Sequence, residues 1–171
     1  MKKLISLLGI MLLAAGITTA QKYAFVDTEY ILNRIPSYKA AQDQLDKLAA
    51  DWQTEIERAY TEIEKMYKDF QAEKVLLTEE MKVRKEEEII NREKEVKQLQ
   101  QKYFGRDGSL FTKRQELIKP IQDEVYTVIK EIAVEGSFAV IFDTASGANM
   151  LYTNPKYDKS DDVLERLGYK N

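Results

Sequence analysis

Histidine and cysteine are both absent from the 171 residues, which removes the commonest zinc ligands, the imidazole base and the thiol nucleophile. Carboxylates, amines and phenols are what remain for acid–base work. The densest carboxylate run, Glu86-Glu87-Glu88, falls in a helical pattern, where successive side chains point around the axis and do not converge on one reacting atom. No Gly-x-Gly or Gly-Lys-Ser/Thr sequence offers a phosphate cradle. We therefore expect no catalytic residue, no metal site and no cofactor. The side chains with something to offer are aromatic and thioether groups set along charged helices, suited to weak and adaptable contact with an apolar chain. Tyr60, Tyr67, Tyr103, Phe104, Phe70 and Met81 are the candidates. Phe70 lies on the helical seam described next, so packing competes for it, whereas Tyr60, Tyr67 and Phe104 lie off that seam.

Gly and Pro are missing from Ser37 to Phe104. Within that stretch Leu45, Ala49, Trp52, Ile56, Ala59, Ile63, Met66 and Phe70 recur at alternating spacings of four and three, the heptad pattern of a coiled coil. Val75-Leu76-Leu77 ends this run, and Thr78 followed by Glu79 and Glu80 reads as a capped helix start with acidic residues at the positive end of the dipole. The chain is thus expected to reverse near 76–79. A second helix is expected from about Glu79 to Ala133, its stripe sparse at Ile89, Val96, Leu99 and Tyr103 and regular from Phe111 through Ile118, Ile121, Val125, Val128 and Ile132. Gly105 and Gly108 place two glycines in one turn, each costing about 1 kcal/mol relative to alanine, so the arm is expected to be locally soft or broken there. Pro120 removes a ladder bond further on and predicts a kink. These three are the candidate hinge residues.

Both ends of the chain change pattern. Residues 22–27 read as a short strand and Thr28–Arg34 as a short helix capped by Asp27 or Thr28; Phe138–Phe142 and Asn149–Tyr152 read as two more strands. Ser160 is expected to cap a last helix bearing Val163, Leu164 and Leu167. The fold class is therefore mostly α with a small β component: a long antiparallel coiled-coil hairpin (37–133) projecting from a small α/β base (21–36 and 134–171). So small a base buries too little apolar surface to stand alone, and oligomerisation through Tyr23, Phe25, Val26, Val140, Phe142 and Leu151 is the expected remedy. Lys2 and Lys3, the apolar run Leu4–Ile17 and the small residues Thr18, Thr19 and Ala20 read as a signal peptide over 1–20, cleaved before Gln21. The run falls short of the roughly 20 residues that span a bilayer, and no cysteine follows it to take a lipid. We expect export with no stable membrane anchor. The net charge of −3 argues against nucleic acid as a partner.

The order of elements resembles the Skp/OmpH family of periplasmic chaperones over the whole mature chain. The residues that carry the resemblance are Ala24-Phe25-Val26-Asp27 entering Ile31-Leu32 and Pro36, Lys39-Ala40-Ala41 to Leu45, and Leu77-Thr78-Glu79-Glu80 at the reversal. Pro120-Ile121-Gln122 and Val140-Ile141-Phe142-Asp143 leading to Leu151-Tyr152 complete it. The resemblance implies a homotrimer with an intersubunit β-barrel, three hairpins around a cavity, and ATP-independent holding of unfolded outer-membrane proteins. It also points to a departure. Better-studied members are strongly basic, whereas residues 37–131 here carry 18 basic and 21 acidic side chains, so no lipopolysaccharide site is carried over. The competing reading is a non-enzymatic coiled-coil spacer or adaptor of the cell envelope that binds one folded partner.

Overall fold

The computed structural model describes residues 21–145, 147 and 150–169. The expected signal peptide lies outside them, as does Asn149. The chain packs as two units, one built from residues up to Ile31 together with those from Tyr126 onward, the other from Leu32–Val125.

The second unit is helical. Helix α2, Pro36–Glu73, opens with Pro36 in its first turn, where a missing N–H costs nothing. At about 1.5 Å per residue it is on the order of 57 Å long. Lys74 to Thr78 lead into α3, Glu79–Phe104, whose first turn is capped by the Thr78 hydroxyl accepting from the Met81 N–H at 3.3 Å. Ile56, Ala59, Ile63 and Phe70 of α2 are buried together with Ile89 and Val96 of α3, with Met66, Leu77, Leu99 and Tyr103 packed around them. Cross-helix partners run in opposite senses: Glu73 pairs with Lys85, Tyr67 with Glu93, Glu62 with Arg92 and Glu55 with Tyr103. The pair is antiparallel and in register, and its contact face is the stripe that the four–three spacing marks out.

The second arm is interrupted where the glycines fall and again at Ile118, so that three helices follow one another. Helix α3 ends at Gly105, α4 spans Ser109–Leu117 and α5 spans Lys119–Glu135. A Cβ on Gly105 would lie 2.3 Å from the Gln101 carbonyl oxygen, and one on Gly108 would lie 2.8 Å from that of Tyr103. The two glycines are therefore required by close backbone approach. Pro120 is the second residue of α5, and Ile118 between α4 and α5 keeps a helical backbone (φ −94°, ψ −42°). Having no N–H, Pro120 cannot donate to the Glu116 carbonyl, and the helix is interrupted between the two. A second small core lies along this stretch, with Ala41 and Leu45 of α2 buried against Ile118 and with Tyr38, Leu110, Leu117 and Ile121 beside them.

The first unit holds β1, Lys22–Val26, and β2, Phe138–Asp143, paired in parallel with Tyr23 opposite Val140 and Phe25 opposite Phe142. Helix α1, Thr28–Arg34, follows β1 and is capped by Asp27, whose carboxylate accepts from the Tyr30 N–H at 2.9 Å. Helix α6, Ser160–Arg166, places Val163 and Leu164 in the core with Ala24, Val26 and Ile31. Two expectations are corrected. Ser160 is not a helix cap but a buried cross-link: its hydroxyl donates to Asp158 Oδ1 at 2.6 Å and accepts from the Asp27 N–H at 2.8 Å. Residues 150–152 do not form a strand. A strand exists only beside another strand, and among the described residues no neighbouring edge receives this segment.

The glycine geometry reverses the usual sign of a substitution. In a helix interior Gly→Ala stabilises by about 1 kcal/mol. Here Gly105→Ala and Gly108→Ala are expected each to lower the thermal unfolding midpoint of the full chain, because the added methyl displaces backbone and not a flexible side chain.

Candidate interaction surface

The hairpin buries one set of apolar residues and presents another. Ile89 is 3% exposed in the seam while its neighbour Ile90 is 45% exposed, and the same division recurs along the pair. Tyr60 and Tyr67, seven residues apart on α2, share one flank of that helix and are both exposed. Val83, Ile90 and Phe104 sit at multiples of seven along α3 and are exposed as well. The Tyr67 hydroxyl donates to Glu93 at 3.1 Å, and Glu93 lies on the Ile90 flank of its helix, three residues on. That bond brings the two flanks to one side of the hairpin. Tyr60, Tyr67, Val83 and Ile90 therefore form a discontinuous apolar surface set between charges. Glu62, Arg92 and Glu95 occupy a salt-bridged cluster of their own, with Arg92 reaching Glu62 at 2.6 Å and Glu95 at 2.9 Å.

At the end of α3 the aromatic residues gather. The Tyr103 ring stacks on Trp52 with centroids 4.8 Å apart and planes 6° off parallel, and Phe104 meets the same indole edge-on at 6.4 Å. The Tyr103 hydroxyl donates to Glu55 at 2.8 Å. These contacts fasten the last turn of α3 to α2 just before the glycine break. At the other end, Val75 and Leu76 in the reversal are 90% and 86% exposed, with Met81 half exposed in the first turn of α3.

The candidate contact residues thus divide. Tyr60, Tyr67, Phe104 and Met81 stand at the surface; Tyr103 is partly buried against Trp52; Phe70 is 4% exposed in the seam and is committed to packing. Sequence reasoning overlooked Val83, Ile90, Val75 and Leu76. Their signal was present as a second seven-residue spacing outside the seam and as three consecutive apolar residues at a reversal. Of the base candidates, Tyr23, Val140, Phe142 and Leu151 are exposed, Phe25 is half-buried and Val26 is buried.

The chain matches the family of OmpH-like outer membrane proteins over residues 22–167. Its fold is similar to the crystal structure of a protein from Caulobacter crescentus CB15 described as an OmpH-like outer membrane chaperone. The TM-score is 0.67 at 14% sequence identity, over 88% of this chain and 86% of that chain. No curated protein matches the sequence.

The two cross-helix phenols give this surface a pH signature. Hydrogen bonding to Glu93 raises the pKa of Tyr67, and hydrogen bonding to Glu55 raises that of Tyr103, both from the ordinary 10.0. A raised folded-state pKa means that the stabilisation is fully present below pH 10 and is lost as pH rises through the raised value. Ultraviolet titration should show Tyr67 and Tyr103 ionising above pH 10, and Glu93→Gln should bring the Tyr67 transition down while leaving that of Tyr103 in place.

Proposed function

The chain belongs to the OmpH-like family, and from that premise we propose that it is an ATP-independent holdase chaperone of the periplasm that binds unfolded outer-membrane proteins and prevents their aggregation. The observation that carries this reading is the apolar side of the hairpin. Its core is closed by Ile56, Ala59, Ile63, Phe70, Ile89 and Val96, yet Tyr60, Tyr67, Val83 and Ile90 remain exposed at intervals. Spaced apolar contacts set among charges suit a client without fixed shape: each contact is weak, many registers are equivalent, and release needs no chemical step. Val75, Leu76 and Met81 extend the same kind of surface to the reversal.

The remaining parts follow the same reading. The expected signal peptide would place the chain in the periplasm, and no helix among the described residues is long and apolar enough to cross a membrane. The exposed faces of Tyr23, Val140 and Phe142 would be covered in a homotrimer built around the first unit. The break at Gly105 to Gly108, with Pro120 beyond it, would let the hairpin bend around clients of different size. The name given to the Caulobacter protein, an outer membrane chaperone, agrees with the family premise.

The test dilutes a urea-unfolded outer-membrane barrel protein into buffer with or without the mature chain, in the absence of nucleotide, and follows light scattering. Suppression at stoichiometric amounts of trimer is expected, and undiminished aggregation at excess would overturn the reading. Tyr60→Ser combined with Ile90→Ser should weaken suppression by on the order of tenfold, given about 1.4 kcal/mol of lost apolar contact, while circular dichroism and sedimentation stay unchanged. By contrast Ile89→Ser, one residue away but buried, should cost helical stability instead. A spacer or adaptor would sediment as an extended dimer or monomer and leave the client to aggregate.

A further inference from the structure

The hairpin distributes its charge unequally between its two sides. Glu57 and Glu64 lie on the flank of α2 that bears Tyr60 and Tyr67, and Glu86 and Glu93 lie on the flank of α3 that bears Val83 and Ile90, each three or four residues from an apolar neighbour. The bond from Tyr67 to Glu93 sets these flanks on one side of the pair. Glu64 falls between the two tyrosines and Glu86 between Val83 and Ile90, so apolar and acidic side chains alternate along both helices at steps of about 5 Å. The cations of the same flanks, Lys74 and Lys97, lie beyond the apolar residues, seven positions from Tyr67 and Ile90. Further round α3, Glu87 and Lys94 offset one another.

Among the described residues, none of Glu57, Glu64, Glu86 and Glu93 enters an ion pair. Glu57 accepts from the Gln53 amide at 3.1 Å and Glu93 from the Tyr67 hydroxyl at 3.1 Å, and neither neutral donor cancels a charge. The opposite side is built otherwise. There Arg92 holds both Glu62 and Glu95, at 2.6 and 2.9 Å, and Lys85 holds Glu73. Asp69 and Glu88 add their fields to the same lysine. Acids on that side are answered from within the hairpin; those among the exposed tyrosines are not.

We infer that this side selects, among unfolded clients, segments in which lysine or arginine alternates with apolar side chains. The inference rests on the holdase reading and names the chemistry of the client segment. Tyr60, Tyr67, Val83 and Ile90 take the apolar residues, and the four carboxylates between and beside them take the cations. Lysine and arginine suit both parts at once, because their methylene stems lie along apolar surface while the charged heads reach outward, and the phenol faces attract a cation as well. Other occupants meet repulsion. A second copy of this face would set carboxylate against carboxylate, and an anionic lipid surface would set phosphate against carboxylate. Attraction between exposed charges is screened by salt, so capture of such segments weakens as ionic strength rises.

The test uses labelled peptides that share one apolar sequence interleaved with either lysine or glutamate, and a lysine–serine peptide that measures charge attraction alone. Each is titrated into the full mature chain at low ionic strength and followed by fluorescence anisotropy. The lysine-interleaved apolar peptide is expected to bind tightest, on the order of tenfold better than its glutamate counterpart. Glu64→Gln with Glu86→Gln removes two charges from the apolar side, and Asp69→Asn with Glu88→Gln removes two from the other, so the two variants have the same net charge. All four side chains are exposed, and both variants should keep the helical circular dichroism. The first should bind the lysine-interleaved peptide about fivefold more weakly, the loss of two exposed ion pairs, and the second should bind it as the unaltered chain does. Equal losses in the two variants, equal binding of the two apolar peptides, or a lysine–serine peptide bound as tightly as the apolar one would each overturn the inference. Light scattering with the unfolded barrel protein separates the two readings. Suppressed aggregation without preference among the peptides removes the charge selection and leaves the holdase standing, whereas undiminished aggregation removes both.

Discussion

A hairpin of two helices has a single contact face, and everything in the helical unit depends on what is buried there. Burial of Ile56, Ala59, Ile63 and Phe70 against Ile89 and Val96 supplies about 1.5–3 kcal/mol for each large side chain removed from water. With so few residues in the seam, that term must hold the register against the conformational entropy of two long helices. The cross-helix polar contacts of Glu73, Tyr67, Glu62 and Glu55 are largely exposed and individually worth little, but they lie on the flanks of the seam and oppose slippage. Because the seam is narrow, the outward faces of both helices are left to carry other residues. A wider core would have consumed Tyr60 and Ile90.

The first unit solves the opposite problem. Ala24, Val26, Ile31, Val163 and Leu164 are buried there, and a polar network ties together the segments that carry them. Ser160 joins Asp27 to Asp158, and the Asp143 carboxylate accepts from both the backbone and the hydroxyl of Thr28 at 3.2 and 2.8 Å. Arg166 grips Glu135 through both nitrogens at 2.8 and 2.6 Å and holds that carboxyl below its usual range. These directional contacts fix where α6 lies, while Tyr23, Val140 and Phe142 of the strands stay exposed.

Much of this was legible in the sequence because it is encoded redundantly. Eight residues repeat the same spacing in α2, so no single position decides the helix or its buried face. Thr78 as a cap was readable from one hydroxyl and two following glutamates. What was not legible depends on partners distant in sequence. Ser160 looks like a cap until Asp27, 133 residues away, is found at its hydroxyl. The parallel pairing of β1 with β2 joins opposite ends of the chain. Val83 and Ile90 were hidden because α3 is so rich in charge that a second apolar spacing does not stand out. Residues 150–152 were expected to form a strand and do not, because propensity says only what a segment can do and not whether a pairing edge is there to receive it.

The asymmetry between the two sides of the hairpin has a mechanical consequence. Two helices bonded along a seam resist flexure as a composite beam, because bending must stretch one and compress the other. At Gly105 to Gly108 one of the two members is cut while α2 runs on intact. Stiffness there falls to that of a single helix, and curvature imposed on the hairpin concentrates in the few residues of α2 opposite the cut. Trp52, clamped by Tyr103 and Phe104 at the margin of the cut, marks where the composite section ends.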